Sequence, residues 1–155
     1  MTRVFLTGGS GLVGGALARR LIERGDEVVA LARSDAAERT LTAGGARVVR
    51  GDTLDEDAMA AGMEGCELAF HVAGVNTFCP TDPAALIHVN VRGAEAAVRA
   101  AGRAGVPRMV LTSSAATLGR RRAPSAARRR GTGGAISRPT SAPSTRASWR
   151  STWPA

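Results

Sequence analysis

Hydrophobic positions along the first part of the chain switch repeatedly between two periods. Arg3–Thr7 is a short apolar run, and the next segment, 12–24, carries Leu12, Ala16, Ala18, Leu21 and Ile22 at near-helical spacing. The same switch recurs down the chain. Glu27–Ala32, residues 46–50, 67–72 and 107–112 read as further strands, and residues 35–42, 55–63 and 83–104 as helices. Thr53 or Asp55 is placed to cap the 55–63 helix, while Asp82 caps the long helix with Pro83 at its first position. Strand–helix alternation at this spacing predicts a parallel sheet with right-handed crossovers and helices on both faces.

Composition agrees with such a core. Hydrophobic residues make up 44% of the chain and aromatic ones 3%, so Val, Leu, Ile and Ala must fill the interior. At 155 residues the chain is expected to form one domain burying roughly 68–70% of its unfolded surface. Val4–Leu6 runs straight into glycine, too short for a signal-peptide core, and no apolar run approaches the ~20 residues of a membrane span. A cytoplasmic location is therefore expected. Cys66 and Cys79 match no metal-ligand spacing and read as buried thiols, a disulfide between them being the alternative. No metal site is expected.

The net charge of +8 is not shared evenly. Residues 1–119 hold 12 arginines and 13 acids, net −1, whereas residues 120–155 hold 9 arginines and no acid, net +9. The boundary is also a change of character. Residues 120–155 are Arg, Ser, Ala, Pro, Thr and Gly with little apolar period, and read as a disordered basic tail.

The chemistry begins after the first strand, at Thr7-Gly8-Gly9-Ser10-Gly11-Leu12-Val13-Gly14. A glycine triad alone carries little in a chain with 19 glycines. Its placement decides, because Gly8, Gly11 and Gly14 connect a strand to a helix. A phosphate-binding turn there needs a residue tolerant of positive φ, a backbone that approaches pyrophosphate, and a small residue for tight packing. The N–H groups and positive end of the helix then face the anion.

With that loop the first 119 residues resemble extended short-chain dehydrogenases/reductases, the NAD-dependent epimerase/dehydratase group that includes dihydroflavonol-type reductases. The opening motif of that family, Thr-Gly-x-x-Gly-x-x-Gly, is Thr7 to Gly14. Its acid after the third strand, which contacts adenine, is similar to Asp52, with Thr53 beside it. Its fourth-strand Ala-Gly resembles Ala73-Gly74, and its Asn-x-x-Gly resembles Asn90 to Gly93. The segment 112–117 resembles the one carrying the catalytic Ser or Thr, with Ser114 at that position. Each residue also has a plainer reading. Asp52 caps a turn, Asn90 is a polar spot on a helix, and the serines end a strand. His71 reads as a strand-end residue beside the cofactor, the alternative being a proton carrier.

The resemblance implies a Rossmann-type sheet of order 3-2-1-4-5 and a nicotinamide dinucleotide held by Thr7, Gly8, Gly11, Leu12, Val13, Gly14, Asp52, Thr53, Ala73, Gly74 and Asn90. An acid at the end of the second strand would bond the ribose 2′-hydroxyl and repel a 2′-phosphate. Ala32 occupies that position, followed by Arg33 and Ser34. A guanidinium pairs bidentately with phosphate, so NADP is expected in preference to NAD; Arg33 as a solvated charge is the alternative.

Catalysis in the family depends on a Tyr-x-x-x-Lys helix, and this sequence has no tyrosine and no lysine. Tyrosine, with a pKa of about 10, needs a neighbouring cation to act as a base at neutral pH. Losing a positioned acid–base group costs on the order of 10² to 10⁴ in rate. The tail offers a reason: residues beyond about Gly119 read as translated out of frame. The third base of Pro139 with the first two of Thr140 permits a tyrosine codon, and Pro143 with Ser144 permits a lysine codon at the family's spacing. The fold is accordingly expected to stop after a fifth strand, whose Met109, Val110 and Leu111 would form an exposed apolar edge open to self-association. Three functions follow: an impaired oxidoreductase or epimerase/dehydratase by descent, whose small-molecule substrate belongs to the full-length family; a non-catalytic NADP-binding sensor; and, ranked last, a nucleic-acid binder using the tail arginines, Arg120 to Arg122 and Arg128 to Arg130.

Overall fold

The computed structural model describes residues 1–76 and 82–114. In chain order the elements are β1 (Arg3–Thr7), α1 (Leu12–Glu23), β2 (Glu27–Ala32), α2 (Asp35–Ala43), β3 (Arg47–Arg50), α3 (Glu56–Met63), β4 (Leu68–His71), α4 (Pro83–Arg103) and β5 (Met109–Leu111). Every predicted strand and helix within these residues is present, with ends moved by one or two positions. The strands lie in the order β3-β2-β1-β4-β5 and all neighbours are parallel. The Rossmann topology expected from the sequence is the one observed.

Alternation along β1 builds both layers. Val4 and Leu6 face one side with Val28, Ala30, Leu21 and Leu41; Phe5 faces the other with Val29, Leu31, Met59, Met63 and Ala69. Strands covered on both faces carry continuous apolar runs, which is why β1 and β2 lack polar interruptions. Small residues set the spacing on the second side. Ala96, Ala97, Ala100 and Ala101 bring α4 against the sheet and α3, and a Cβ at Gly62 would meet the Phe5 ring at 2.6 Å. The edge of the α3–α4 contact is charged. Arg99 bonds Glu56 at 2.7 Å and Arg103 bonds Asp57 at 2.8 Å, and hydrogen bonds from Arg99 and then Arg103 lower the Glu56 pKa.

Helix starts follow the capping rules. Asp55 rather than Thr53 caps α3, accepting from Ala58 N at 2.9 Å, and Asp82 caps α4 through Ala84 N and Ala85 N. Cys66 is a buried thiol, pushed up in pKa chiefly by burial, whereas Cys79 lies outside the described residues. Among the described residues β5 is the outer strand, with Val110 43% and Leu111 46% exposed. Among the same residues no helix is long and apolar enough to cross a membrane, and no cluster of His, Cys, Asp or Glu is placed to hold a metal.

Candidate functional site: a cleft over the ends of β1 and β4

The strand order reverses at β1, which has β2 on one side and β4 on the other. Connections leaving β1 and β4 in opposite directions open a crevice at the carboxyl ends of the strands. A cleft of about 560 Å³ lies there, lined from the β1–α1 loop, the ends of β2 and β3, the β4–α4 loop and α4. That volume falls within the range of small-molecule and cofactor sites.

The β1–α1 loop is shaped by what its glycines exclude. Gly8 has φ 73°, and a Cβ on it would lie 2.6 Å from Ala73 N at the end of β4. A Cβ on Gly14 would lie 2.1 Å from the Gly8 carbonyl oxygen, so the first turn of α1 rests directly on the loop. Gly11 is the N-cap of α1 and supplies no side-chain acceptor, and no acid stands in the first turn. The amide end of α1 therefore faces the cleft without an internal anion, as an anion-binding helix terminus requires. Leu12 and Val13 line the same wall; Leu12 is 93% exposed.

The far end of the cleft is built by β2 and β3. Ala32 is buried, and Arg33 beyond it lines the cleft with 78% of its side chain exposed. Its guanidinium stands 3.7 Å from the Asp52 carboxylate after β3. Asp35, the first acid after β2, is turned to Arg50 at 2.9 Å. Asp52 also holds its own turn, accepting from Leu54 N at 3.1 Å and Thr53 Oγ1 at 3.4 Å. Ser34 both lines the cleft and caps α2 by accepting from Ala37 N at 3.2 Å. Asp52 thus holds a turn, as its plainer reading has it, while it and Ser34 also line the cleft.

The β4 side is held from α4. Asn90 Oδ1 accepts from Val75 N at 2.7 Å and its Nδ2 donates to Val75 O at 3.0 Å. This two-bond clamp fixes the loop carrying Ala73 and Gly74, so Asn90 is more than a polar spot on a helix. Three residues on, a Cβ at Gly93 would lie 3.3 Å from Thr53, which explains the small residue there. His71 is buried, with Nδ1 3.0 Å from Thr7 Oγ1, and burial lowers its pKa.

Of the cofactor residues selected from sequence, all but Thr7 line the cleft; Thr7 is buried beneath it. Ser114 is exposed beyond β5 and is not among the lining residues. Sequence reasoning missed Leu31, Ala37, Gly51, Val72, Val75 and Val89 on the wall, and Ser10 and Asn76 at its ends. Ser10, Val75 and Asn76 adjoin motif residues and could have been found; Leu31 and Ala37 enter only through the crossover geometry. The arginine triplets and the codons read for tyrosine and lysine lie outside the described residues.

Comparison with known proteins gives the lineage. The family model for the NAD dependent epimerase/dehydratase family matches residues 4–141. The chain belongs to that family. The match runs past Gly119, the end of the resemblance read from the motifs. A ketoreductase of 4-hydroxy-2-methyl-3-oxo-4-farnesyl-3,4-dihydroquinoline-1-oxide from Stigmatella aurantiaca is 39% identical over 116 residues, covering 75% of this chain and 34% of the relative. UDP-glucose 4-epimerase of Streptomyces lividans is 36% identical over 123 residues, covering 76% and 37%. Among solved structures, UDP-glucose-4-epimerase from Stenotrophomonas maltophila, with bound NAD and formylated UDP-arabinopyranose, superposes with TM-score 0.67 at 26% identity, covering 79% of this chain and 40% of that one. The chain thus spans about a third of the length of the curated relatives it matches. These family members include both reductases and epimerases, so membership alone names no reaction.

Proposed function

We propose that these residues form the dinucleotide-binding part of an NADP(H)-using oxidoreductase or epimerase/dehydratase, and that the 155-residue chain by itself binds cofactor with little or no turnover. The observation that carries the reading is the Gly8–Gly14 contact, in which a Cβ would sit 2.1 Å from the carbonyl oxygen. Packing this close seats the uncapped amide end of α1 on the loop, the arrangement in which a helix terminus meets a phosphate.

The residues fit the cofactor along the whole cleft. The amides at Gly11 to Gly14 would hold the pyrophosphate. Asp52 and the β3–α3 turn would meet the adenine, and Ala73 and Gly74 the nicotinamide half. Arg33 supports a 2′-phosphate, because its guanidinium is largely exposed and stands 3.7 Å from the Asp52 carboxylate, a loose pairing. Both acids of α2, Asp35 and Glu38, are engaged by Arg50. When bound, the nicotinamide supplies hydride transfer at its ring. The chain's own part is to bind and orient it: the helix terminus would face the pyrophosphate, and the Asn90 clamp holds Val75 and with it the segment just after β4.

Proton transfer is what the residues do not supply. No tyrosine or lysine exists in the chain, and Ser114, as a hydroxyl, donates a hydrogen bond but is no base near neutral pH. The out-of-frame reading of the tail accounts for that loss, and the gene sequence around codons 117–121 tests it. Calorimetric titration with NADPH and NADH tests the binding claim. Tighter binding of NADPH, with no oxidation of it in the presence of ketone substrates, is expected. Preference for NADH, or turnover, contradicts the reading.

A further inference from the structure

Under the cleft lies a hydrogen-bond cluster that the cofactor contacts above do not use. The hydroxyl oxygen of Thr7, the last residue of β1, is 3.2 Å from Val72 N and 3.2 Å from Ala73 N, both of which donate to it. The same oxygen is 3.0 Å from His71 Nδ1. A hydroxyl has two lone pairs and one proton. With both lone pairs engaged by backbone amides, the proton points at Nδ1, which must be the bare nitrogen of the ring. The imidazole is therefore neutral, with its own proton on Nε2. Ala73 N is also the atom against which Gly8 packs, where a Cβ would stand at 2.6 Å. The cluster thus fixes the floor on which the glycine loop rests.

We propose that His71, as the neutral Nε2–H tautomer, is a positioning residue for cofactor binding: it accepts the Thr7 hydroxyl proton and so holds Val72 and Ala73 beneath Gly8. This rests on the cofactor reading of the cleft. A proton added at Nδ1 would turn the acceptor into a donor facing an oxygen with no lone pair left. The clasp then opens and cofactor affinity falls. Burial, which lowers the pKa of His71, keeps the ring in the accepting form at neutral pH.

Among the described residues no charged neighbour competes with this account. In the sheet His71 lies beside Thr7 on β1 and Leu111 on β5. On α4, Arg92 is bound to Glu95, while Arg99 and Arg103 are bound to Glu56 and Asp57 of α3, and His88 is exposed. Across the cleft Arg33 and Asp52 face each other. Burial alone shifts the His71 pKa.

The test uses NADH, because the 2′-phosphate of NADPH is a monoester titrating near pH 6 and would mask the effect. Affinity is measured from pH 8 to pH 5 for the wild type, His71→Asn and His71→Leu, with far-UV circular dichroism at each pH. Asparagine offers a carbonyl oxygen near the place of Nδ1 and does not titrate. The wild type is expected to lose about tenfold in affinity as the pH falls below 6.5, the worth of one hydrogen bond at the upper end of its range. His71→Asn keeps its affinity and loses that acid dependence, whereas His71→Leu is about tenfold weaker already at pH 8. A flat wild-type profile, or an acid loss in His71→Asn equal to the wild type's, overturns the proposal. Imidazole ¹⁵N shifts of the apo protein read the tautomer without any variant, so they also decide the matter if His71→Leu does not fold. A proton on Nδ1 at pH 8 overturns the proposal, and one on Nε2 supports it. Absence of NADH binding at pH 8 overturns the cofactor reading itself, while the ¹⁵N shifts still judge the clasp.

Discussion

Replacing Gly14 by alanine adds one methyl group at the tightest point of the cleft. Elsewhere the same change is favourable: glycine inside a helix costs about 0.5–1 kcal/mol relative to alanine. At Gly14 the new Cβ would lie 2.1 Å from the Gly8 oxygen and 2.6 Å from its carbon, where real Cβ atoms essentially never come within 3.0 Å. Both opposing atoms are backbone, so no side chain can swing away. The loop and the first turn of α1 must separate by about 1 Å, and a misplacement of that size costs on the order of 10² in a positioned site. We therefore expect about 100-fold weaker NADPH binding, or about 2.7 kcal/mol, together with a lower melting temperature. Gly102→Ala is the matched control, because a Cβ there meets nothing within 4 Å. It should stabilise by about 0.5–1 kcal/mol and raise the melting temperature by a few degrees, leaving affinity unchanged. Calorimetry and thermal melts on the two variants read both quantities. Gly14→Ala binding NADPH within about threefold of the wild type would refute the reasoning, since the change would then cost far less than a tenfold step of about 1.4 kcal/mol.

Other outcomes follow from the same geometry. Arg33→Ala should weaken NADPH by about tenfold and leave NADH nearly unchanged, since a charged hydrogen bond to the 2′-phosphate is what it removes; equal losses for both would contradict that role. Asn90→Leu removes both bonds to Val75 and should weaken NADPH by about tenfold, with Asn90→Asp, which keeps only the acceptor, in between. Urea midpoints should fall as the pH drops from 6.5 towards the lowered pKa of His71, because the unfolded chain takes up a proton there that the folded one does not. Midpoints that rise over that range would contradict the burial of a neutral ring. The exposed β5 edge predicts concentration-dependent association in light scattering that Val110→Lys reduces; no association, or no change on substitution, would contradict that expectation.

Local chemistry explains what was legible in the sequence. The strands of β1 and β2 show as unbroken apolar runs because both faces are covered, and α3 and α4 are announced by Asp55 and Asp82 as caps. The glycine loop is legible because its three special residues are neighbours in sequence. What stayed hidden depends on register between distant segments. Thr7 meets His71 across 64 positions only because β1 pairs with β4. Arg33 and Asp52 face each other because β2 and β3 end side by side. Gly93 is small because Thr53, from another loop, packs on it. Ser34 marks the limit of reading by residue type. Named beside Arg33 as a cofactor residue, it also accepts from Ala37 N as the cap of α2, a role its neighbours in sequence did not announce.

The central claim is that the cleft between β1 and β4 is a dinucleotide site centred on the amides of Gly11 to Gly14. Backbone ¹H–¹⁵N spectra recorded during titration with NADPH test it most directly. Saturable shifts concentrated at Gly8 to Gly14, Arg33, Asp52 and Ala73 to Val75 are the predicted result. No saturable shift at millimolar NADPH, or shifts centred away from that loop, would contradict the account.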